Sequence, residues 1–338
     1  MKRLLWLLLL FCCVSACKNR NLPDVSGIKV NLPLQRFEQD FFAIDTTNIN
    51  VALEQLNQKY PGFLQDFIFN ILALPAEPDS ISAVENGVRS FISSYREIKD
   101  TSDIVFRDLE GINKSIEEGL KYVKYHFPTY KLPAKLITFI GPINSYGNII
   151  TPDALGVGLQ LYLGKNYGLY ASEAGQSLYP AYVSRRFEPV YIPVNTIKTV
   201  IDDMFPNNSG GRPLVEQMVE AGKRLYVLDQ LLPGTADTLK TGYTEEQLKG
   251  SRENEALIWG LFLQNEMLYS ADPAVTKDYM NDAPNTPVLG PGSPGFIGQF
   301  VGWQIVKKWM DKNGESSLQQ LMETGARKIF DEAKYKPK

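Results

Sequence analysis

Most of the chain carries its apolar residues at helical spacing. Val51, Leu53, Leu56 and Tyr60, preceded by the cap candidates Asn48 and Asn50, predict a helix that runs to Lys59 and breaks at Pro61-Gly62. Phe63, Phe67, Ile68, Ile71 and Leu72 predict a second helix that ends before Pro75, with a loop over 75–80. Two more follow over 82–95 and 104–126, the latter with Ile112, Ile116, Leu120, Val123 and Phe127 on one face. Stripes of this kind are core-facing sides of amphipathic helices.

The period changes at Pro133. Residues 134–140 and 155–163 are rich in β-formers and bounded by glycines and Pro142, with turn residues over 144–148 between them. A short extended segment is expected at 28–34. Gly156-x-Gly158 lacks the third glycine and the helix start of a dinucleotide fingerprint. From Pro189 the pattern is helical again. One helix is expected over 195–205, stopped by Pro206 to Gly211. The next opens at Pro213, a residue suited to the first helical position. Gly222 lies on its apolar face, which implies close packing against another backbone. Thr244 with Gln247 reads as a capping box for a helix through Asn254 and Trp259. A Pro- and Gly-rich loop spans 281–295. Ser293-Pro294 then starts a helix with Ile297, Val301, Ile305 and Trp309 on one stripe. Gly298 and Gly302, four apart, suit it to tight packing. Ser316 with Gln319 is expected to cap a last helix ending near Phe330. The fold expected over 28–338 is a single α+β domain, mostly helical, with a small β-sheet.

The N-terminus has a different texture. Lys2 and Arg3 precede an apolar run from Leu4 to Val14, and Ser15-Ala16 are small. This is the layout of a secretory signal, too short for a comfortable membrane span. Val14-Ser15-Ala16-Cys17 resembles the lipobox of bacterial lipoproteins. The resemblance implies a signal peptide over 1–16, a Cys17 that carries lipid and begins the mature chain, and a polar tether over 17–27. Several acyl chains on one cysteine anchor a protein stably where one chain does not. No Asp follows Cys17 and no acidic cluster follows it either, so the expected address is the periplasmic side of the outer membrane. The alternative is an ordinary cleaved signal that happens to precede a cysteine.

Composition narrows the chemistry. Net charge is -3 over 338 residues, with no basic block after the leader, so nucleic acid is not an expected partner. All three cysteines lie at or before position 17. The mature chain therefore has no disulfide, no cysteine ligand and no thiol nucleophile. The single histidine, His126, excludes a His-rich metal site, and its neighbours Tyr125 and Phe127 suit a structural role. Ser172, Ser177 and Ser184 lie in no nucleophile elbow, and no phosphate loop or EF-hand is present. No cofactor is expected. Paired carboxylates at Asp202-Asp203, Glu245-Glu246 and Glu253 with Glu255 leave a carboxylate-based hydrolase open. The tyrosines 162, 167, 170, 179, 182 and 191 leave open a cleft that binds peptide or glycan.

Several blocks occur in a telling order: Arg36-Phe37-Glu38-Gln39-Asp40-Phe41-Phe42, Leu159-Gln160-Leu161-Tyr162-Leu163-Gly164, Glu220-Ala221-Gly222-Lys223-Arg224-Leu225-Tyr226, Asn254-Glu255-Ala256-Leu257-Ile258-Trp259 and Gly302-Trp303-Gln304-Ile305-Val306. With the lipobox, this order resembles the gliding motility-associated lipoprotein GldB family of Bacteroidetes. The resemblance implies a non-enzymatic envelope component that supports gliding, held to the membrane at Cys17 and partnered by proteins of the gliding or secretion machinery. The succession of elements in the later half also resembles a zinc peptidase of the gluzincin type. Such an enzyme needs His-Glu-x-x-His on the helix expected at 195–205, which contains no His. That implies a peptidase-like scaffold without its metal motif. Glu220, where a third ligand would stand, is the candidate cleft residue, with a salt-bridged helix residue as its ordinary reading.

Overall fold

A four-stranded mixed sheet is set among two runs of helices, one on each side of it in the sequence. The computed structural model describes residues 22–77, 80–264 and 266–337. Cys17 and the signal peptide expected over 1–16 lie outside the described residues. Strands β1 (Leu34–Arg36), β2 (Lys135–Phe139), β3 (Asn148–Ile150) and β4 (Ala154–Gly158) run in the order β1-β2-β4-β3. β2 is parallel to both neighbours, with Leu34 opposite Leu136 and Ile137 opposite Gly156. β3 returns antiparallel along β4, Ile149 opposite Gly156. β2 and β4 are almost wholly buried, as central strands covered on both faces must be.

On the N-terminal side lie α1 (Phe37–Phe42), α2 (Ile49–Lys59), α3 (Ile81–Ser94), α4 (Arg96–Val105) and α5 (Glu110–His126). The aromatic opening of the domain becomes its first core: Phe37 packs edge-on against Tyr60, Phe63 and Phe67, with ring centroids 4.8–5.0 Å apart. Phe139 from β2 closes on the same cluster. Val25 and Leu32 are also in this core. The chain is therefore already packed on the domain at Val25, within the stretch expected as tether.

The second group comprises α6 (Ile192–Met204), α7 (Leu214–Leu231), α8 (Glu245–Glu253), α9 (Glu255–Gln264), α10 (Pro273–Met280), α11 (Ile297–Lys312), α12 (Leu318–Glu323) and α13 (Ala326–Ala333). α6 lies against the sheet edge at β3 and against α5 and α7. α7 and α11 form the centre of this half. A Cβ on Gly222 would stand 2.1 Å from the Gly302 carbonyl carbon, and one on Gly302 would stand 1.6 Å from the Met218 carbonyl oxygen. Two bare backbones cross here, which is the close packing that Gly222 and Gly302 imply in the sequence.

Several boundaries depart from the sequence pattern, each for a local reason. The helix expected over 104–126 is two, because Phe106 and Leu109 turn into the core and Asp108 bonds the Glu110 amide at 2.8 Å. The second strand stops at Gly158 rather than 163. There Gln160, fully buried, accepts from the Gly141 amide and donates to the Tyr146 carbonyl, which pins a tight helical turn over Leu159–Leu161. The helix expected from Phe63 to Leu72 narrows to one turn and continues as a wide turn over Phe67–Ile71. Pro213 caps α7 from outside rather than opening it, and the helix from Thr244 breaks at Asn254. The last capping box uses Ser317 and Gln320, not Ser316 and Gln319, and serves α12 alone. The Thr244–Gln247 box forms as expected, with both bonds at 3.0–3.1 Å. Among the described residues no helix is long and apolar enough to cross a membrane.

Candidate functional site

The polar residues that converge most strongly do so around Lys198 on α6. Asn195, Lys198 and Asp202 are spaced i, i+3 and i+7, so they fall on one stripe of a helix that buries Val194, Ile197, Val200 and Ile201. Three hollows of about 350, 190 and 180 Å³ share Lys198 in their walls. Across from it, α7 contributes Ala221, Arg224, Leu225 and Leu228. The segment 182–191 supplies Tyr182, Arg185, Arg186, Phe187 and Tyr191, and the loop before α11 supplies Asp282 and Phe296.

Hydrogen bonds tie these loops to one another. Arg185 donates to the Gly242 carbonyl at 2.6 Å, and Arg186 pairs with Asp282. Gln299 donates to the Thr241 carbonyl at 2.9 Å, and the Tyr243 hydroxyl donates to the Phe296 carbonyl at 2.9 Å. Gly242 has φ +75°, and a Cβ there would press on the Arg186 guanidinium at 3.0 Å. Phe296 holds φ +54°, a left-handed conformation that costs an aromatic residue about 1–3 kcal/mol and persists only where the surroundings enforce it. On the sheet side, Asn195 donates to the Tyr162 hydroxyl at 2.9 Å, and that hydroxyl in turn bonds Asn148 at the start of β3.

The electrostatics are lopsided. Four cations, Arg185, Arg186, Lys198 and Arg224, line the three hollows against two carboxylates, Asp202 and Asp282. Each carboxylate is already held by an arginine: Asp202 by Arg224 at 2.6 Å, Asp282 by Arg186. Lys198 is left without an ion pair among the described residues. Burial, seconded by Arg186, pushes its ammonium down to about 8, with Asp202 and Asp282 opposing the shift. Burial likewise lowers Arg185 from its ordinary value. A larger hollow of about 860 Å³ lies elsewhere, between Leu22, α5 and Pro189–Pro193. Its lining is mainly apolar, with Asp108 and Glu118 as its charged members, and no set of polar groups converges in it.

The residues singled out in the sequence have the following places. Glu220 accepts from Lys223 at 2.8 Å, and buried Lys223 also donates to the Met322 carbonyl at 3.3 Å. Glu220 is not among the α7 residues that line the hollow facing α6, which are Ala221, Arg224, Leu225 and Leu228. His126 ends α5, half-buried, edge-on to Tyr125, with its Nε2 buried and unbonded and its pKa lowered by burial. Ser172 caps a short helix through the Gly175 amide. Asp203 accepts from Tyr130 at 2.7 Å and Glu255 from Tyr335 at 2.5 Å. Of the six tyrosines, Tyr162, Tyr182 and Tyr191 reach the hollows. Tyr170 and Tyr179 instead pack edge-on against Phe187, and Tyr167 against Tyr170. Lys198 carried no motif, and the signal that marks it is a polar i, i+3, i+7 stripe on a helix that is otherwise mainly buried.

No group of three or more His, Cys, Asp or Glu among the described residues is arranged to hold a metal ion. The family model for gliding motility protein GldB matches residues 18–337, nearly the whole chain, and the chain belongs to that family. It is a component associated with gliding motility and with the outer membrane. Neither the search of curated proteins nor that of solved structures gave a match.

Proposed function

We propose that the protein is a lipoprotein anchored through Cys17 on the periplasmic side of the outer membrane. There it supports gliding by binding a protein of the motility or secretion machinery, on a peptidase-like scaffold that has no metal site. Residues 1–16 are the leader and the short polar stretch after Cys17 is the tether. The observation that carries the binding role is the make-up of the α6–α7 hollow. Lys198 and Asp202 stand at i and i+4, the spacing at which a zinc peptidase presents two imidazoles, and Ala221 and Arg224 face them. An ammonium and a guanidinium repel a divalent cation, and the one carboxylate is committed to Arg224. The residues present do not fit a catalytic zinc, which needs three protein ligands.

The test compares wild type with Cys17→Ala in cells. Wild type should fractionate with the outer membrane and crosslink to motility or secretion proteins. The variant should lose both the membrane fraction and the crosslinks. A variant that stays membrane-bound and supports gliding refutes the anchor. Stoichiometric zinc in purified protein, measured by mass spectrometry, refutes the metal-free scaffold.

A further inference from the structure

We infer that the cleft around Lys198 binds the C-terminal carboxylate of a peptide whose last side chain is apolar. This deepens the binding role proposed above by naming the site and the chemistry it recognises. Four observations converge. The lining carries two more cations than carboxylates, and both carboxylates are already paired. Lys198, half-buried on the floor where the three hollows meet, keeps its charge without an ion pair, so an incoming anion supplies a partner that the fold withholds. Next to it, the hollow of about 180 Å³ has Ile201, Leu225, Leu228 and Phe296 in its walls. Inorganic phosphate or a sugar acid would leave these apolar groups unfilled, whereas a leucine-sized side chain would cover them. In the other direction the hollow of about 350 Å³ presents Asn195, whose amide nitrogen is held by the Tyr162 hydroxyl and whose Oδ1 is left to accept from a preceding peptide N–H.

The construction fits a preformed receptor. Arg185, Arg186, Gln299 and Tyr243 spend their bonds on neighbouring loops, which fixes the wall. Phe296 is held in its left-handed conformation at the rim of the apolar hollow. A rigid site of this kind loses little freedom when it binds. Capture of a chain terminus by a cation and an adjoining side-chain pocket is a general mode of peptide recognition.

Calorimetric titration of the full protein tests this with three probes: acetyl-Ala-Ala-Leu with a free carboxylate, the same peptide amidated, and inorganic phosphate. The free acid should bind roughly tenfold or more tightly than the amide, the effect expected of one charge-assisted bond. Lys198→Met should bring the acid down to the affinity of the amide, and Lys198→Arg should retain the preference. Equal affinity for acid and amide, or no binding of the acid at millimolar concentration, overturns the inference. Phosphate binding as tightly as the peptide acid overturns the peptide assignment. The acid-amide comparison uses wild type alone, so it stands even if a variant fails to fold. Failure here leaves the Cys17→Ala result untouched, and the two proposals fall separately.

Discussion

Gly302→Ala puts the crossing of α7 and α11 to a direct test. The added Cβ would lie 1.6 Å from the Met218 carbonyl oxygen and close to the Met218 carbonyl carbon and the Val219 nitrogen. All three obstructing atoms are backbone, so no rotamer change relieves the clash. Restoring ordinary contact requires the helices to part by roughly 2 Å, and a gap of half that already forfeits a quarter to a half of each van der Waals contact. The side chains beside the crossing, among them Phe300, Val301, Trp303, Ile305 and Val306, are essentially fully buried. Overpacking against backbone costs about 3 kcal/mol or more, and alanine returns about 1 kcal/mol of helix propensity. The expected net loss is about 2 kcal/mol or more. With a urea slope near 3 kcal/mol per molar, the midpoint falls by roughly 0.7 M. Gly260, inside α9 with nothing within 4 Å of its would-be Cβ, is the control. Gly260→Ala should raise the midpoint by roughly 0.3 M through propensity alone. Both measurements are made on the secreted Cys17→Ala protein. A Gly302→Ala midpoint at or above wild type, with Gly260→Ala behaving as stated, refutes the close-packing account.

Two further outcomes follow from buried charge. Lys240, 2% exposed, pairs with Asp229 at 2.5 Å and joins the helix Asp237–Thr241 to α7. Lys240→Met removes the buried ammonium beside Asp229 and should cost about 3–5 kcal/mol, seen as a melting temperature lower by roughly 5–10 °C; an unchanged melting temperature counts against the pair. Lys198 behaves in the opposite sense. Its folded pKa of about 8 lies below its ordinary value of 10.5, so the folded state binds fewer protons than the unfolded state between those values. Stability then rises with pH across that window, and below about pH 8 the full cost of the charge is carried. Arg186 adds to that cost while Asp202 and Asp282 reduce it. Lys198→Met should therefore stabilise the protein at pH 7 by on the order of 1–3 kcal/mol. The gain should shrink steadily up to about pH 10.5. Denaturation curves at pH 7 and 10 check this, and an equal effect at both pH values refutes the depressed pKa.

The sequence by itself determined the class of fold. Long stretches with a period near 3.6 and one β-rich interlude specify a helical α+β domain, because each periodic face has to be buried somewhere. It determined the capping box at Thr244, since that depends on residues close in the chain, whereas the aromatic opening at Phe37 became a core only by meeting Tyr60, Phe63, Phe67 and Phe139. It also marked Gly222 and Gly302, because a glycine on an apolar helical face has little other use. The ordered blocks were enough to place the chain in its family. Element ends were less legible. Helix 104–126 broke because Phe106 and Leu109 found core positions, and β4 stopped because buried Gln160 satisfied two distant backbone groups. Neither partner is visible from spacing. The cleft was decided by tertiary structure alone. Asn195, Lys198 and Asp202 read as ordinary polar helix positions until α7, the 182–191 segment and the loop before α11 close around them. The pairing of Asp202 with Arg224 and of Asp282 with Arg186 spans 22 and 96 residues. Only that long-range pairing takes both carboxylates away from Lys198 and leaves its charge free, and a surplus of charge is a property of the assembled surface rather than of any segment.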